Sequence, residues 1–103
     1  MLDRHYAPST LTVLSNSISE DIKKYADKRI GVLVFESSIK NENIQEQIVL
    51  SKSGNLTEAT SNLYDALHQL DKQNLDVIIA EIFPDFGLGK SINDRLQRAT
   101  FKK

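Results

Sequence analysis

The chain has 103 residues, enough for one domain with a single core and too few for two domains that each bury a sizeable interior. An apolar fraction of 40% and a charged fraction of 26% are those of an ordinary globular protein and exclude a disordered, collagen-like or coiled-coil chain. Lys and Arg number 13 against 14 Asp and Glu, so no broad electropositive surface is expected for nucleic acid or an anionic membrane. The absence of cysteine excludes disulfides, thiolate zinc sites and cysteine nucleophiles. No apolar run approaches the ~20 residues of a membrane helix and the first residues carry no secretory h-region, so a cytoplasmic location is expected.

Residues 1–10 are polar and contain Pro8, which lacks an N–H and biases Ala7 toward extended geometry, so they read as a strap leading into the domain. Leu11 to Ser15 is a short β-branched and apolar stretch, the first expected strand. Ser17 and Glu20 have capping-box spacing, which predicts a helix reaching about Asp27 with Ile18, Ile22, Tyr25 and Ala26 on its buried stripe. Arg29 to Glu36 contains the continuous run Ile30-Gly31-Val32-Leu33-Val34-Phe35, the pattern of a central strand covered on both faces. A polar loop over Ser37 to Glu46 and a short strand over Gln47 to Ser51 follow.

Asn55 and Glu58 repeat the capping spacing, and Ala59, Leu63, Leu67 and Leu70 line one face of a helix reaching about Lys72. Asp76 to Ile82, with Val77-Ile78-Ile79-Ala80, is a second buried strand. The turn Pro84-Asp85-Phe86-Gly87-Leu88-Gly89 then leads to a last helix from about Lys90 that buries Ile92, Leu96 and Ala99. The order β-α-β-β-α-β-α predicts an α/β fold: a three-layer, Rossmann-like domain over residues 11–103 with a mainly parallel sheet.

Gly89-Lys90-Ser91 invites a phosphate-loop reading, because N–H groups at a helix start cradle phosphate and a lysine adds charge. Five positions before Gly89, however, the Walker pattern needs glycine and this chain has Pro84, which provides neither N–H nor torsional freedom. Gly87-x-Gly89 begins a dinucleotide fingerprint whose third glycine position holds Ile92. Asp85-Phe86-Gly87 matches a kinase motif in three residues alone, in a chain far too short for kinase lobes. The favoured reading of the two glycines is a tight turn with Leu88 plugging the core; the sharper one is a ligand loop of Gly87, Gly89, Lys90 and Ser91.

His5 in the strap and His68 on the polar side of the long helix have no metal-ligand partners at the usual spacing, so no metal site is expected. No triad or carboxylate pair is suggested by spacing, and no catalytic residue is assigned. Arg95 and Arg98 are expected to complement the C-terminal end of the last helix, with contact to a partner or nucleotide as the sharper alternative.

The front segment Met1 to Pro8, with its His5-Tyr6-Ala7-Pro8, and a set of spaced segments between Asn62 and Ala99 together resemble the C-terminal domain of two-domain L-threonylcarbamoyladenylate synthases, the Sua-type members of the YrdC-like superfamily. Met1-Leu2-Asp3-Arg4-His5-Tyr6-Ala7-Pro8 looks like the family's interdomain linker, whose hallmark is His-Tyr-Ala-Pro preceded by Pro-Gly-Met. Asn62-Leu63-Tyr64-Asp65-Ala66-Leu67, Leu70-Asp71, Asp76 to Glu81, Gly87-Leu88-Gly89, Ile92-Asn93-Asp94-Arg95-Leu96 and Ala99 carry the rest, while residues 15–55 match in the order of their elements.

The resemblance implies a Rossmann-like domain beside a YrdC-like catalytic domain that joins L-threonine, bicarbonate and ATP into threonylcarbamoyl-AMP, for modification of the adenosine beside the tRNA anticodon. It implies ATP and a divalent cation for the full-length protein and no cofactor in this chain. It places Arg4, His5 and Tyr6 nearest the catalytic domain's ligands. The expected partners are that catalytic domain, in cis or in trans, and indirectly the tRNA-modification machinery. With the catalytic domain absent from the sequence, the chain is expected to be inactive alone: a truncated form, a shortened form or a detached domain beginning at Met1. Two functions remain: a non-catalytic accessory domain, or an independent small-molecule or nucleotide-binding module.

Overall fold

In the computed structural model, which describes residues 8–101 with side chains up to Arg98, strands and helices alternate as the apolar pattern requires. They are β1 (Leu11–Ser15), α1 (Ile18–Lys24), β2 (Ile30–Val34), β3 (Ile44–Val49), α2 (Leu56–Asp71), β4 (Val77–Glu81) and α3 (Gly87–Phe101). The four strands form one all-parallel sheet in the order β1-β4-β2-β3. The strands with unbroken apolar runs, β2 and β4, take the two central places, where both faces are covered.

Side chains alternate across the sheet with period two. Ile30, Val32, Val34, Val77 and Ile79 pack beneath Ile18 and Ile22 of α1. Leu33, Ile78 and Ala80 face the other way, against Ala59, Leu63, Leu67 and Leu70 of α2 and Ile92 and Leu96 of α3. The result is three layers, as expected, with α1 alone on one face. Each Leu or Ile so buried stabilises the fold by about 1.5–3 kcal/mol relative to exposure.

The helix starts differ from expectation in instructive ways. Asn55 caps α2, its side chain accepting from Glu58 N–H at 2.9 Å. Glu58 does not reach back to complete the box; its carboxylate takes the Ser51 hydroxyl at 2.5 Å. Ser17 makes no side-chain cap on α1 at all. Its N–H donates instead to the buried Ser15 Oγ at 3.0 Å, and Glu20 pairs with Lys23 on the exposed surface. α1 also stops at Lys24, leaving Ala26 exposed rather than on the buried stripe.

The strand placed at Gln47 begins at Ile44, three residues earlier. Residues 35–43 cross from β2 to β3 without a helix, and Ile39 of this crossover packs into the α1-side core. Gln47 holds it there, its amide accepting from Ile39 N–H at 2.7 Å and donating to Ile39 O at 2.9 Å. At the amino edge of the sheet, Asp76 accepts from Arg29 N–H at 2.8 Å and its own N–H returns to Arg29 O, aligning the starts of β2 and β4.

Candidate functional site

α3 begins at Gly87, so the two glycines lie inside its first turn rather than before it. Gly87 has φ +55°, the left-handed region that disfavours side chains, and a Cβ at Gly89 would collide with the Pro84 carbonyl oxygen. The N–H groups of Gly89 and Lys90 both point to Phe86 O, at 3.0 and 3.3 Å. These amides close a turn, which removes them from any anion cradle.

The groove along this helix, about 530 Å³, is lined by Asp85, Gly87, Lys90, Ser91, Asp94 and neighbours. Among the described residues Lys90 is the one cation lining it, beside the carboxylates of Asp85 and Asp94 in the same lining, so the electrostatics oppose a polyphosphate. The structure thus brings Gly87, Lys90 and Ser91 to one groove, while the buried Gly89 acts through its backbone. Leu88 does not plug the core; it is 40% exposed, beside Phe86 at 67% and Ile82 at 40%.

The residue that fills the core here is Phe83, 1% exposed, tilted against Phe35 at 5.0 Å between ring centroids. Its backbone is clasped by Asn93, whose Oδ1 accepts from Phe83 N–H at 2.7 Å and whose Nδ2 donates to Phe83 O at 2.8 Å. Arg98 pairs with Asp94 one turn back at 2.9 Å. Arg95 leaves the helix end and lies 6.0 Å above the Tyr64 ring of α2, a cation–π contact joining the two helices.

Arg4, His5 and Tyr6 lie outside the described residues. The segment that follows them is firmly placed. Pro8 is buried, and the Asp71 carboxylate accepts from Ser9 N–H at 3.1 Å, Thr10 N–H at 3.0 Å and Thr10 Oγ1 at 2.6 Å. Asp71 ends α2, where a negative charge opposes the helix dipole, and these three donors offset that cost. In the sequence Leu70-Asp71 and Asn93 are only parts of a pattern, because the partners Thr10 and Phe83 are 61 and 10 residues away, beyond local spacing.

A second cavity of about 290 Å³ opens at the carboxyl ends of β1 and β4, lined by Ser15, Asn16, Ser17, Ile18, Ser19, Ile39, Glu81 and Ile82. Among the described residues, no group of three or more His, Asp or Glu side chains is placed to hold a metal ion. No helix among them is long and apolar enough to cross a membrane.

These features define a three-layer, all-parallel α/β domain of Rossmann-like type whose leading strap is tied to the end of its longest helix. The family described as "Threonylcarbamoyl-AMP synthase, C-terminal domain" matches residues 1–100, and the chain belongs to that family. It is 32% identical over 101 residues to the threonylcarbamoyl-AMP synthase of Bacillus subtilis, covering 92% of this chain and 29% of the relative. With the Pyrococcus abyssi synthase identity is 31% over 107 residues, covering 94% and 30%.

The chain thus spans less than a third of the length of the curated relatives it matches. Among solved structures, P. abyssi Sua5 complexed with L-threonine superposes with a TM-score of 0.79 at 31% identity, covering 96% of this chain and 30% of that one. A variant of the same archaeal protein, with adjacent histidine and tyrosine replaced by alanine, gives 0.73 at 25% identity over 91% of this chain and 28% of that one.

Proposed function

We propose that this chain is the accessory domain of a threonylcarbamoyl-AMP synthase, with residues 1–10 serving as a linker that the domain of residues 11–103 holds in place. The observation that carries the reading is the Asp71 clamp on Ser9 and Thr10, which fixes the point from which the linker departs. Arg4, His5 and Tyr6 precede this anchor by only a few residues in the sequence, and they are assigned the contact with a YrdC-like catalytic domain supplied in cis or in trans. His5-Tyr6 is the chain's single adjacent His–Tyr pair, the residue types replaced together in the archaeal variant.

The reaction assigned to the partnership is synthesis of threonylcarbamoyl-AMP from L-threonine, bicarbonate and ATP in the cytoplasm, a nucleotidyl transfer that feeds tRNA modification. The described residues do not fit ATP or a divalent cation as a pair: Lys90 shares its groove with the carboxylates of Asp85 and Asp94, and no cluster of three or more metal-ligating side chains is present among them. In this reading ATP and its cation are assigned to the catalytic domain, and this chain contributes positioning. The nucleotide-binding alternative at Gly87 to Ser91 is not favoured, because the amides it needs are engaged by Phe86 O.

The test is to add the chain to a YrdC-like catalytic domain and follow pyrophosphate release. Binding with a changed rate is expected, and the rate effect disappears in a His5→Ala/Tyr6→Ala chain that still binds. No binding and no change in rate would refute the accessory role.

A further inference from the structure

The order β1-β4-β2-β3 creates a switch point between β1 and β4. The chain leaves β1 for α1 on one face and leaves β4 for α3 on the other, so the two adjacent strands part at their carboxyl ends. Crevices of this kind are where open parallel sheets bind ligands. Here the crevice is present as the cavity of about 290 Å³, at the small end of ligand pockets.

Two polar groups in it have unused capacity. Ser15 and Glu81 are register partners at the ends of β1 and β4, and both lie on the α1 face by the alternation of their strands. Ser15 is 2% exposed; its Oγ accepts from Ser17 N–H and donates to no acceptor among the described residues. Glu81 is half-buried; its Oε1 accepts from Phe35 N–H at 2.8 Å, and its Oε2 accepts from nothing among the described residues. On these register-paired residues, a buried hydroxyl with its proton unused and a carboxylate oxygen with no partner among the described residues match a ligand that both donates and accepts, as a vicinal diol does.

The remaining lining narrows the class. Ile18, Ile39 and Ile82 supply apolar walls for a flat ring, and Asn16, Ser17 and Ser19 supply further hydrogen bonds at the rim. Among the described residues no lysine or arginine lines the crevice, and Glu81 repels anions, so a phosphate or carboxylate is disfavoured. We propose that this crevice is a nucleoside site, binding an uncharged ribonucleoside through its ribose diol at Ser15 and Glu81. It uses none of the linker residues and stands whether or not the accessory reading does.

The experiment is titration of the isotopically labelled 103-residue chain with adenosine, followed by amide chemical shifts. Saturable shifts are expected at residues 15–19 and 81–82, with affinity about tenfold or more weaker for AMP, for 2′-deoxyadenosine and in Glu81→Gln, whose amide oxygen still serves Phe35 N–H. Ser19→Leu, a bulky change at an exposed position, closes the crevice and abolishes the shifts without unfolding the chain. Absence of saturable adenosine shifts there, equal affinity for 2′-deoxyadenosine or AMP, or an unchanged response in Glu81→Gln would each overturn the proposal.

Discussion

Asp71 grips Thr10 twice, through the backbone N–H at 3.0 Å and the hydroxyl at 2.6 Å, both at Oδ1, while Oδ2 takes Ser9 N–H at 3.1 Å. The two oxygens therefore have separable duties. Asp71→Ala removes both and is expected to lower unfolding free energy by about 1–3 kcal/mol, the cost of stripping partners from a charge-assisted cluster. Urea denaturation measures it. In Asp71→Asn the oxygen kept for Thr10 places an NH2 group opposite Ser9 N–H, so hydrogen exchange should speed at Ser9 more than at Thr10.

Asn93 holds both backbone groups of Phe83. Asn93→Ala leaves a buried N–H and C=O without their partners, and a loss of about 2 kcal/mol is expected. Asn93→Asp keeps the acceptor for Phe83 N–H but turns a carboxylate oxygen on Phe83 O, so it should be no better than alanine. Chemical denaturation of the pair decides this.

The two glycines of the α3 turn should respond unequally to alanine. Gly87→Ala meets open space and suffers only from its positive φ, a cost of about 1 kcal/mol. Gly89→Ala drives a Cβ against the Pro84 carbonyl, which cannot move without shifting the turn, and about 3 kcal/mol is expected. Comparable midpoint shifts for the two variants would contradict the packing described.

Lys90 is exposed and makes no ion pair among the described residues. Lys90→Ala is expected to change stability by less than about 0.5 kcal/mol. Calorimetry with ATP or pyrophosphate should give the same result for the variant as for the parent chain. A heat signal abolished by the substitution would revive the ligand-loop reading.

Much of this fold was legible where burial is symmetrical or one-faced. β2 and β4 are unbroken apolar runs because both faces are covered, and the α2 stripe repeats at helical spacing because one face is. β3 was less legible because it is an edge strand: Gln45 and Glu46 are exposed, and its first residues read as loop. The start of α3 was hidden by glycines, which are weak helix formers but here permit the turn's close approach to Pro84. Strand order was not legible, since two equally apolar strands fit either central place. Asp71 and Asn93 stood in the sequence only as members of the resemblance pattern, with no role assigned; only the folded chain brings their backbone partners to them.

Gln47 gives the domain an asymmetric margin. Parallel neighbours are usually joined through a helix that covers the sheet, with a dozen or more residues in the crossover. Residues 35–43 have no helix, and the two amide bonds of Gln47 to Ile39 stand in for part of that cover. The β3 side is thus where protection against hydrogen exchange should fail first, by sub-global opening rather than unfolding of the whole. Because the strap is fastened to α2 and to β1 at the opposite edge of the sheet, this margin can breathe while the anchor for residues 8–10 stays shut. The molecule thereby separates a tolerant edge from a rigid one.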